Sequence, residues 1–267
     1  MIIRDIRTTL LRLPFTDPPR WSRDYDRPRE LVVVDITTES GITGMGYLMP
    51  LSGGMLTIKA CIDELIAPRV IGRSISDVEA IWQDLWQSTY WIGRMGVTVF
   101  AMSAIDIALW DALGKHAGLP LHRLWGHCRD EIPAYGSGCW RGLGRDGLID
   151  KAKGYVGQGF GALQMQVARM YDHQTDIANV AAMRAALGEA TEIMVDVNMG
   201  WSVGEAISVG RRLDEHGIYW LEEPVVAEDF AGYARIADAL TTRVVGGESH
   251  FTRFDLRPFF ESGKVPI

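Results

Sequence analysis

The sequence has few of the residues that build disulfide-rich or zinc-binding proteins. Its 267 residues include three cysteines, Cys61, Cys128 and Cys139, which are far apart and outside any Cys-x-x-Cys spacing. An odd number of dispersed cysteines indicates neither a disulfide framework nor a zinc site. This pattern favours a reducing compartment, and we predict a cytoplasmic protein.

Long apolar runs and nucleotide-binding loops are also lacking. The sequence shows no run of about 18 apolar residues that would span a bilayer, and its first 30 residues hold no apolar core of the signal-peptide type. No GxGxxG or Walker loop follows a predicted strand. The formal net charge of −7 argues against nucleic-acid and anionic-membrane surfaces. We therefore predict a small-molecule ligand, with no nucleic-acid or membrane partner, and a homo-oligomer.

The first half of the chain combines strand-like and helix-like patterns. The segments "MIIRDIRTTLLRLP" and "ELVVVDITTESGITGMGYL" are rich in Val, Ile and Thr, and Ser40-Gly41 marks a turn, so they predict a small antiparallel sheet. Residues 56–124 have helical periodicity. We predict an α+β domain over residues 1–126, which ends where Gly118, Pro120 and Gly126 break the pattern.

The second half, residues 127–267, alternates short β-rich runs with helical stretches. The strand-like runs include "ALQMQVA", "EIMVDVN", "IYWLEEP" and "RVVGGES". Repeated β-α units with apolar strands indicate a parallel sheet, either doubly wound or a (β/α)₈ barrel.

Three of these runs end in acids, at Asp196, Glu222 and Glu248, each separated from the next by 26 residues. In a barrel, this spacing would place three carboxylates at one height at the C-terminal mouth. Oxygen-only ligands favour Mg²⁺. Such an ion would stabilise the charge that develops when the proton α to a substrate carboxylate is removed. The alternative is that these acids cap helices or lie in solvent.

Two stretches resemble the mandelate racemase and muconate-lactonising group of the enolase superfamily. They are "AMSAIDIALWDALGKHAGLPLHRLWG" and the ordered series Asp196-x-Asn198, Trp220-Leu-Glu-Glu-Pro224 and Gly247-Glu248. The resemblance implies an α+β capping domain, a TIM-type (β/α)₇β barrel, and Mg²⁺ bound by Asp196, Glu222 and Glu248. About five β-α units fit before residue 267, so the barrel is expected to be truncated, and the family's Asp–His dyad would lie beyond this sequence.

Two glutamines stand where members of the family commonly place Lys-x-Lys. Gln164 and Gln166 share one face of the strand in "FGALQMQVARM". An amide is no general base near neutral pH, so two-base racemisation is disfavoured. We predict that both glutamines contact substrate at a catalytic site and that the protein is a Mg²⁺-dependent dehydratase, a lyase, of an aldonic or aldaric acid.

Several alternatives remain open at this stage. The glutamines could satisfy one another within the barrel lining. The reaction could be that of a racemase, epimerase or cycloisomerase, or the protein could bind an acid sugar without catalysis.

Further residues are candidates for the site. His250, two residues after Glu248, is predicted to act as an acid, base or donor, with a backbone-bonded loop histidine as the alternative. Asn198 could orient the metal site or substrate, or cap a helix. Trp140 and Arg141 could contact an anionic polyol, although Trp140 could equally serve packing. The remaining candidate substrate contacts are Trp21 and Tyr25, which lie in the polar loop before the second strand.

Overall fold

The computed structural model describes residues 1–15 and 28–265, so the predicted substrate contacts Trp21 and Tyr25 lie outside the described residues. The chain divides into two compact units, with the division between Glu131 and Ile132. All three cysteines are free, as their spacing predicted.

The first unit contains the predicted antiparallel sheet. Its three strands pair in the order β1-β2-β3, and they are β1 (Ile3–Leu13), β2 (Arg29–Thr38) and β3 (Thr43–Leu48). Every second side chain of β2 is buried, at Val32, Val34, Ile36 and Thr38. This period of two is why the segment forms a strand with one face on a core.

Helices follow the sheet, as their periodicity predicted. They are α1 (Met55–Cys61), which continues as a π-helical stretch (Ile62–Ile66), α2 (Ala67–Val70), α3 (Val78–Ser88), α4 (Val97–Ala117) and α5 (Leu121–Leu124). The longest helix, α4, ends at Gly118, which adopts the left-handed conformation (φ 66°) that commonly terminates helices.

Helix α4 packs closely on strand β3. A Cβ atom added to Gly46 would lie 2.0 Å from the carbonyl oxygen of Ala104, and one added to Gly44 would lie 2.1 Å from that of Ala108. Among the described residues, α4 alone is long and apolar enough to cross a membrane by length and composition, although the sequence showed no such run. Half of its most apolar window is buried within the protein, as in a core helix.

The second unit is a repeated β-α structure. Its strands are β4 (Gly136–Cys139), β5 (Ala162–Gln166), β6 (Glu192–Asp196), β7 (Trp220–Glu222) and β8 (Arg243–Val245). The helices that follow them are α6 (Gly144–Gly157), preceded by a 3₁₀ turn (Arg141–Leu143), then α7 (His173–Leu187), α8 (Val203–Asp214), α9 (Phe230–Ala239) and α10 (Thr252–Ser262).

All neighbouring strands of this sheet are parallel and follow one another in chain order, β4-β5-β6-β7-β8. A doubly wound sheet would reverse its strand order at a switch point, whereas a barrel adds strands consecutively. The second unit is therefore a partial (β/α) barrel, and the alternative of a doubly wound sheet is wrong.

Candidate active site at the carboxyl ends of the parallel strands

Left-handed backbone follows three consecutive strands of the barrel. Non-glycine residues with positive φ lie after β5, β6 and β7: Ala168 (65°), Arg169 (61°), Asn198 (49°), Met199 (59°) and Glu223 (43°). Such conformations are unfavourable for side-chain-bearing residues and concentrate at functional sites. They indicate a candidate active site at the carboxyl ends of these strands.

The first two predicted metal ligands lie side by side, and the third does not share their level. Asp196 and Glu222 are direct partners in the parallel register of β6 and β7. Glu222 in turn pairs with Val245, the last residue of β8, so Glu248 lies three residues further along the chain. The equal spacing of 26 residues therefore predicted the level of the first pair correctly and that of Glu248 wrongly. The connection from β7 to β8 is shorter than the connection from β6 to β7, so β8 ends at Val245 and the chain continues through Gly246 and Gly247 before Glu248.

Burial and neighbouring negative charges raise the pKa values of these three acids. Burial, together with the negative charges of Asp196 and Glu248, raises the pKa of Glu222 to about 7. Burial also raises the pKa of Asp196, against the hydrogen bonds that it accepts. Partial burial of its carboxylate, with the charges of Asp196 and Glu223, raises the pKa of Glu248. Neighbouring carboxylates without a countercharge favour protonation, and a bound cation would reverse this effect.

Each glutamine of β5 donates to one of these carboxylates. Nε2 of Gln164 lies 2.5 Å from Oε2 of Glu222, and the same oxygen accepts from Nε1 of Trp220 at 2.9 Å. Nε2 of Gln166 lies 3.3 Å from Oδ2 of Asp196 and 2.9 Å from Oδ1 of Asn198. The amides are thus bonded to predicted ligands and not to one another.

The donor chemistry of these acids fits a hard cation. Within residues 1–15 and 28–265, no three His, Cys, Asp or Glu side chains come close enough together to hold a metal ion. One oxygen of Glu222 and one of Asp196 accept hydrogen bonds from Gln164 and Gln166. Carboxylate oxygens without His or Cys nevertheless suit Mg²⁺.

Asn198 connects the acids to a buried arginine. Its backbone N–H and its Nδ2 each donate at 2.8 Å to Asp196, while Oδ1 accepts from Nη2 of Arg141 at 2.7 Å. The helix cap is made instead by Ser202, which forms a capping box with Glu205. Of the two roles weighed for Asn198, orientation of the acid site is the one that these contacts support.

Arg141 is 1% exposed, and its Nε and Nη1 atoms have no hydrogen-bond partner within the described residues. Burial lowers its pKa, while the charge of Asp196 opposes that shift. In this conformation Arg141 therefore contacts Asn198 rather than solvent. The neighbouring Trp140 is half-buried and immediately precedes the 3₁₀ turn.

His250 has a structural environment. Its Nε2 lies 3.0 Å from the carbonyl oxygen of Ala227, and its ring packs against Phe230 and Phe259. Its Nδ1 is buried without a partner in the described part of the chain. This geometry matches the alternative already weighed, a backbone-bonded loop histidine, better than a catalytic acid or base.

Sequence reasoning missed several contributors to this site. Ser137 on β4 donates through Oγ to Oε1 of Gln164 at 3.1 Å. Tyr135 packs edge-on against Trp220 with ring centroids 5.6 Å apart, and burial, with the charges of Glu222, Asp196 and Glu248, raises its pKa. The available signal was alternation, which puts Tyr135 and Ser137 on one face of their segment and Trp220 and Glu222 on one face of β7, but only the strand register shows that Ser137 lies beside Gln164.

Comparison with known proteins assigns the family. Residues 5–126 match the mandelate racemase / muconate lactonizing enzyme N-terminal domain, and residues 147–267 match the enolase C-terminal domain-like family. A 3,6-anhydro-α-L-galactonate cycloisomerase from Streptomyces coelicolor is 33% identical over 100% of this chain and 74% of its own length. An arabinonate dehydratase from Saccharolobus solfataricus is 29% identical over 91% of this chain and 65% of its own length. The chain thus spans about two thirds to three quarters of these relatives.

A solved structure agrees with these matches. L-talarate/galactarate dehydratase from Salmonella typhimurium, liganded with Mg and L-lyxarohydroxamate, superposes with a TM-score of 0.91 at 29% identity, covering 99% of this chain and 70% of that one. Both family models match in order, and the cycloisomerase is one-third identical along the entire length of this chain. The chain therefore belongs to the mandelate racemase/muconate lactonizing enzyme family of the enolase superfamily.

Proposed function

We propose that this chain belongs to a Mg²⁺-dependent dehydratase of a sugar acid, an aldonate or aldarate. Asp196, Glu222 and Glu248 would hold the ion. When bound, Mg²⁺ supplies positive charge that stabilises the enediolate formed by removal of the proton α to the substrate carboxylate. Loss of a β-hydroxyl group as water then gives the 2-keto-3-deoxy acid.

The observation that carries this proposal is the chemistry of Gln164 and Gln166. Both lie at the positions where the family commonly has lysines, and both amide groups donate to carboxylates. Neither can accept a proton from carbon at neutral pH, so proton exchange between two bases on opposite faces of the substrate is disfavoured. An elimination needs only one base, which the family resemblance assigns to a histidine beyond this sequence.

Similar proteins support the substrate class. The arabinonate dehydratase is a relative at 29% identity, and the structure of the talarate/galactarate dehydratase contains Mg and a sugar-acid hydroxamate. The carboxylates of Asp196 and Glu222 support a hard cation independently of these relatives, whereas the sugar-acid class rests on the relatives.

A second candidate is a cycloisomerase of an acid sugar. It is favoured by the cycloisomerase from Streptomyces coelicolor, which is 33% identical over 100% of this chain. Such a reaction also begins by removing the α-proton, but no water is lost and the product is an isomer of the substrate.

The test is incubation of the full-length protein with Mg²⁺ and a library of aldonic and aldaric acids and their anhydro and lactone forms, in D₂O. A dehydratase yields 2-keto-3-deoxy products that are lighter than the substrate by one water, measured by mass spectrometry of their semicarbazones. A cycloisomerase yields isomers of unchanged composition apart from deuterium. Binding without α-proton exchange would identify a non-catalytic acid-sugar binder and would overturn both proposals. The Glu222→Gln variant, which removes one ligand charge, is the matched inactive control.

A further inference from the structure

Glu222 has one carboxylate oxygen that is fully used by the protein. Oε2 accepts from Nε2 of Gln164 at 2.5 Å and from Nε1 of Trp220 at 2.9 Å. A carboxylate oxygen has about two lone-pair sites, so these two donors occupy Oε2 completely. Oε1 accepts no hydrogen bond from any residue that the structure describes and is left for other ligands.

Asp196 is held in the same way. Its Oδ2 accepts from Nδ2 of Asn198 at 2.8 Å and from Nε2 of Gln166 at 3.3 Å. Its Oδ1 accepts only the backbone N–H of Asn198, at 2.8 Å, within the described residues. Here too, one oxygen is saturated and the other retains one lone-pair site.

The orientation of the Gln164 amide is fixed by its surroundings. An ionised carboxylate only accepts hydrogen bonds, so the amide nitrogen of Gln164 is the atom that faces Glu222, and Oγ of Ser137 then donates to Oε1 of Gln164 at 3.1 Å. An amide also donates without adding positive charge. It can therefore orient a carboxylate without weakening the attraction of the acids for a dication. An ammonium group in the same place would weaken that attraction, because it carries a positive charge.

From this geometry we infer that Gln164, Trp220 and Gln166 are positioning residues that limit Glu222 and Asp196 to one oxygen each for a bound cation, and that they thereby select Mg²⁺ over Ca²⁺. Mg²⁺ requires six ligands in near-ideal octahedral geometry at short distances and keeps several waters. Ca²⁺ takes six to eight oxygens and often binds carboxylates through both of them. This inference rests on the proposed function, in which these acids hold the ion.

The experiment measures binding and not turnover. Mg²⁺ and Ca²⁺ are titrated separately into the full metal-free chain by calorimetry, for the wild type and for the Gln164→Met/Trp220→Phe double variant. Freeing Oε2 of Glu222 is expected to strengthen Ca²⁺ binding relative to Mg²⁺ by about tenfold, because both oxygens can then reach one ion. Gln158→Met changes an exposed glutamine of the same unit and should leave the ratio unchanged.

Gln166→Met provides an independent arm at Asp196 and serves if the double variant fails to fold, as judged by circular dichroism. A Ca²⁺-to-Mg²⁺ ratio equal to that of the wild type in folded variants overturns the inference and leaves the metal site standing. Failure of the folded wild type to bind either ion overturns the proposed metal site itself, and the inference with it.

Discussion

At the scale of single residues, the acids near this site differ in burial: Asp196 is buried, Glu222 is half-buried and Glu248 is exposed. Glu223 is 0% exposed, although it follows Glu222 directly. Its Oε1 accepts the backbone N–H groups of Gly247 and Glu248, and its carboxylate also accepts from the hydroxyl group of Tyr233. The partners of Glu223 thus differ from those of Glu222, and they connect Glu223 to the segment that carries Glu248.

Removing the Tyr233 hydroxyl group should destabilise the second unit. Tyr233→Phe leaves one oxygen of the buried Glu223 carboxylate without its donor. The cost of such a group is about 1–3 kcal/mol in the free energy of unfolding. Denaturant unfolding measures it, with Tyr47→Phe at an exposed position as the control. An equal loss in both variants would contradict this role for Tyr233.

Asp176 is a second buried acid, outside the predicted ligand set. It is 2% exposed, and its Oδ2 accepts the backbone N–H of Ala168 at 2.8 Å. Burial raises its pKa to about 6, against the Ala168 hydrogen bond and the charges of Arg141 and His173, while the charge of Asp172 raises it further.

The free energy of unfolding should therefore fall as pH rises through the pKa of Asp176. The pKa of Asp176 is higher in the folded chain than in the unfolded chain. Its contribution to the free energy of unfolding is therefore fully present below about pH 4 and is lost as the pH passes about 6. Asp176→Asn keeps an oxygen acceptor for Ala168 and does not titrate. Relative to the wild type, the variant should gain about 2–3 kcal/mol in the free energy of unfolding between pH 4 and pH 8.

Chemical unfolding at a series of pH values measures this gain. Asp150→Asn, an exposed substitution on α6, should give a stability curve parallel to that of the wild type. Parallel curves for Asp176→Asn as well would contradict the prediction.

At the scale of elements, the contact between β3 and α4 depends on the absence of side chains. Gly44 and Gly46 are buried on the strand face that meets a row of alanines on α4. Because the backbones approach so closely, even a methyl group has no space.

Gly46→Ala should destabilise the first unit by about 1–3 kcal/mol or more, since the added Cβ would overlap the carbonyl oxygen of Ala104 and force the helix away. Thermal and denaturant unfolding measure the loss. Gly154→Ala within α6 has open space around the new methyl group and should stabilise slightly, because alanine favours helix. A neutral effect at Gly46 would show that α4 shifts without cost.

At the scale of the whole molecule, folding and metal binding are expected to be coupled. Asp196 and Glu222 come from different strands, and Glu248 from the segment after a third, so the proposed ion would bind the folded chain and not the unfolded one. At about 100 times its dissociation constant, Mg²⁺ should then raise the free energy of unfolding by about 2.7 kcal/mol.

Thermal unfolding with Mg²⁺ and with excess EDTA measures this stabilisation. Asp196→Asn should abolish the difference, whereas Asp150→Asn should retain it. A wild type that unfolds at the same temperature with and without Mg²⁺ would contradict the predicted coupling.

The sequence by itself determined the elements and the class of the protein. The alternation in β2 predicted the antiparallel sheet and the repeated β-α units predicted a parallel sheet, while the resemblance carried by the ordered motifs predicted the family and its partial barrel, all correctly. These features depend on side-chain periodicity within one segment, which the sequence displays directly.

Only the tertiary structure decided which side chains meet. It placed Glu248 three residues beyond the level of Glu222, bonded Gln164 to Glu222 across an intervening strand, and set His250 against a carbonyl oxygen. Strand register and connection length fix these contacts, and they arise from pairing between segments far apart in the chain. No spacing within the sequence contains that information.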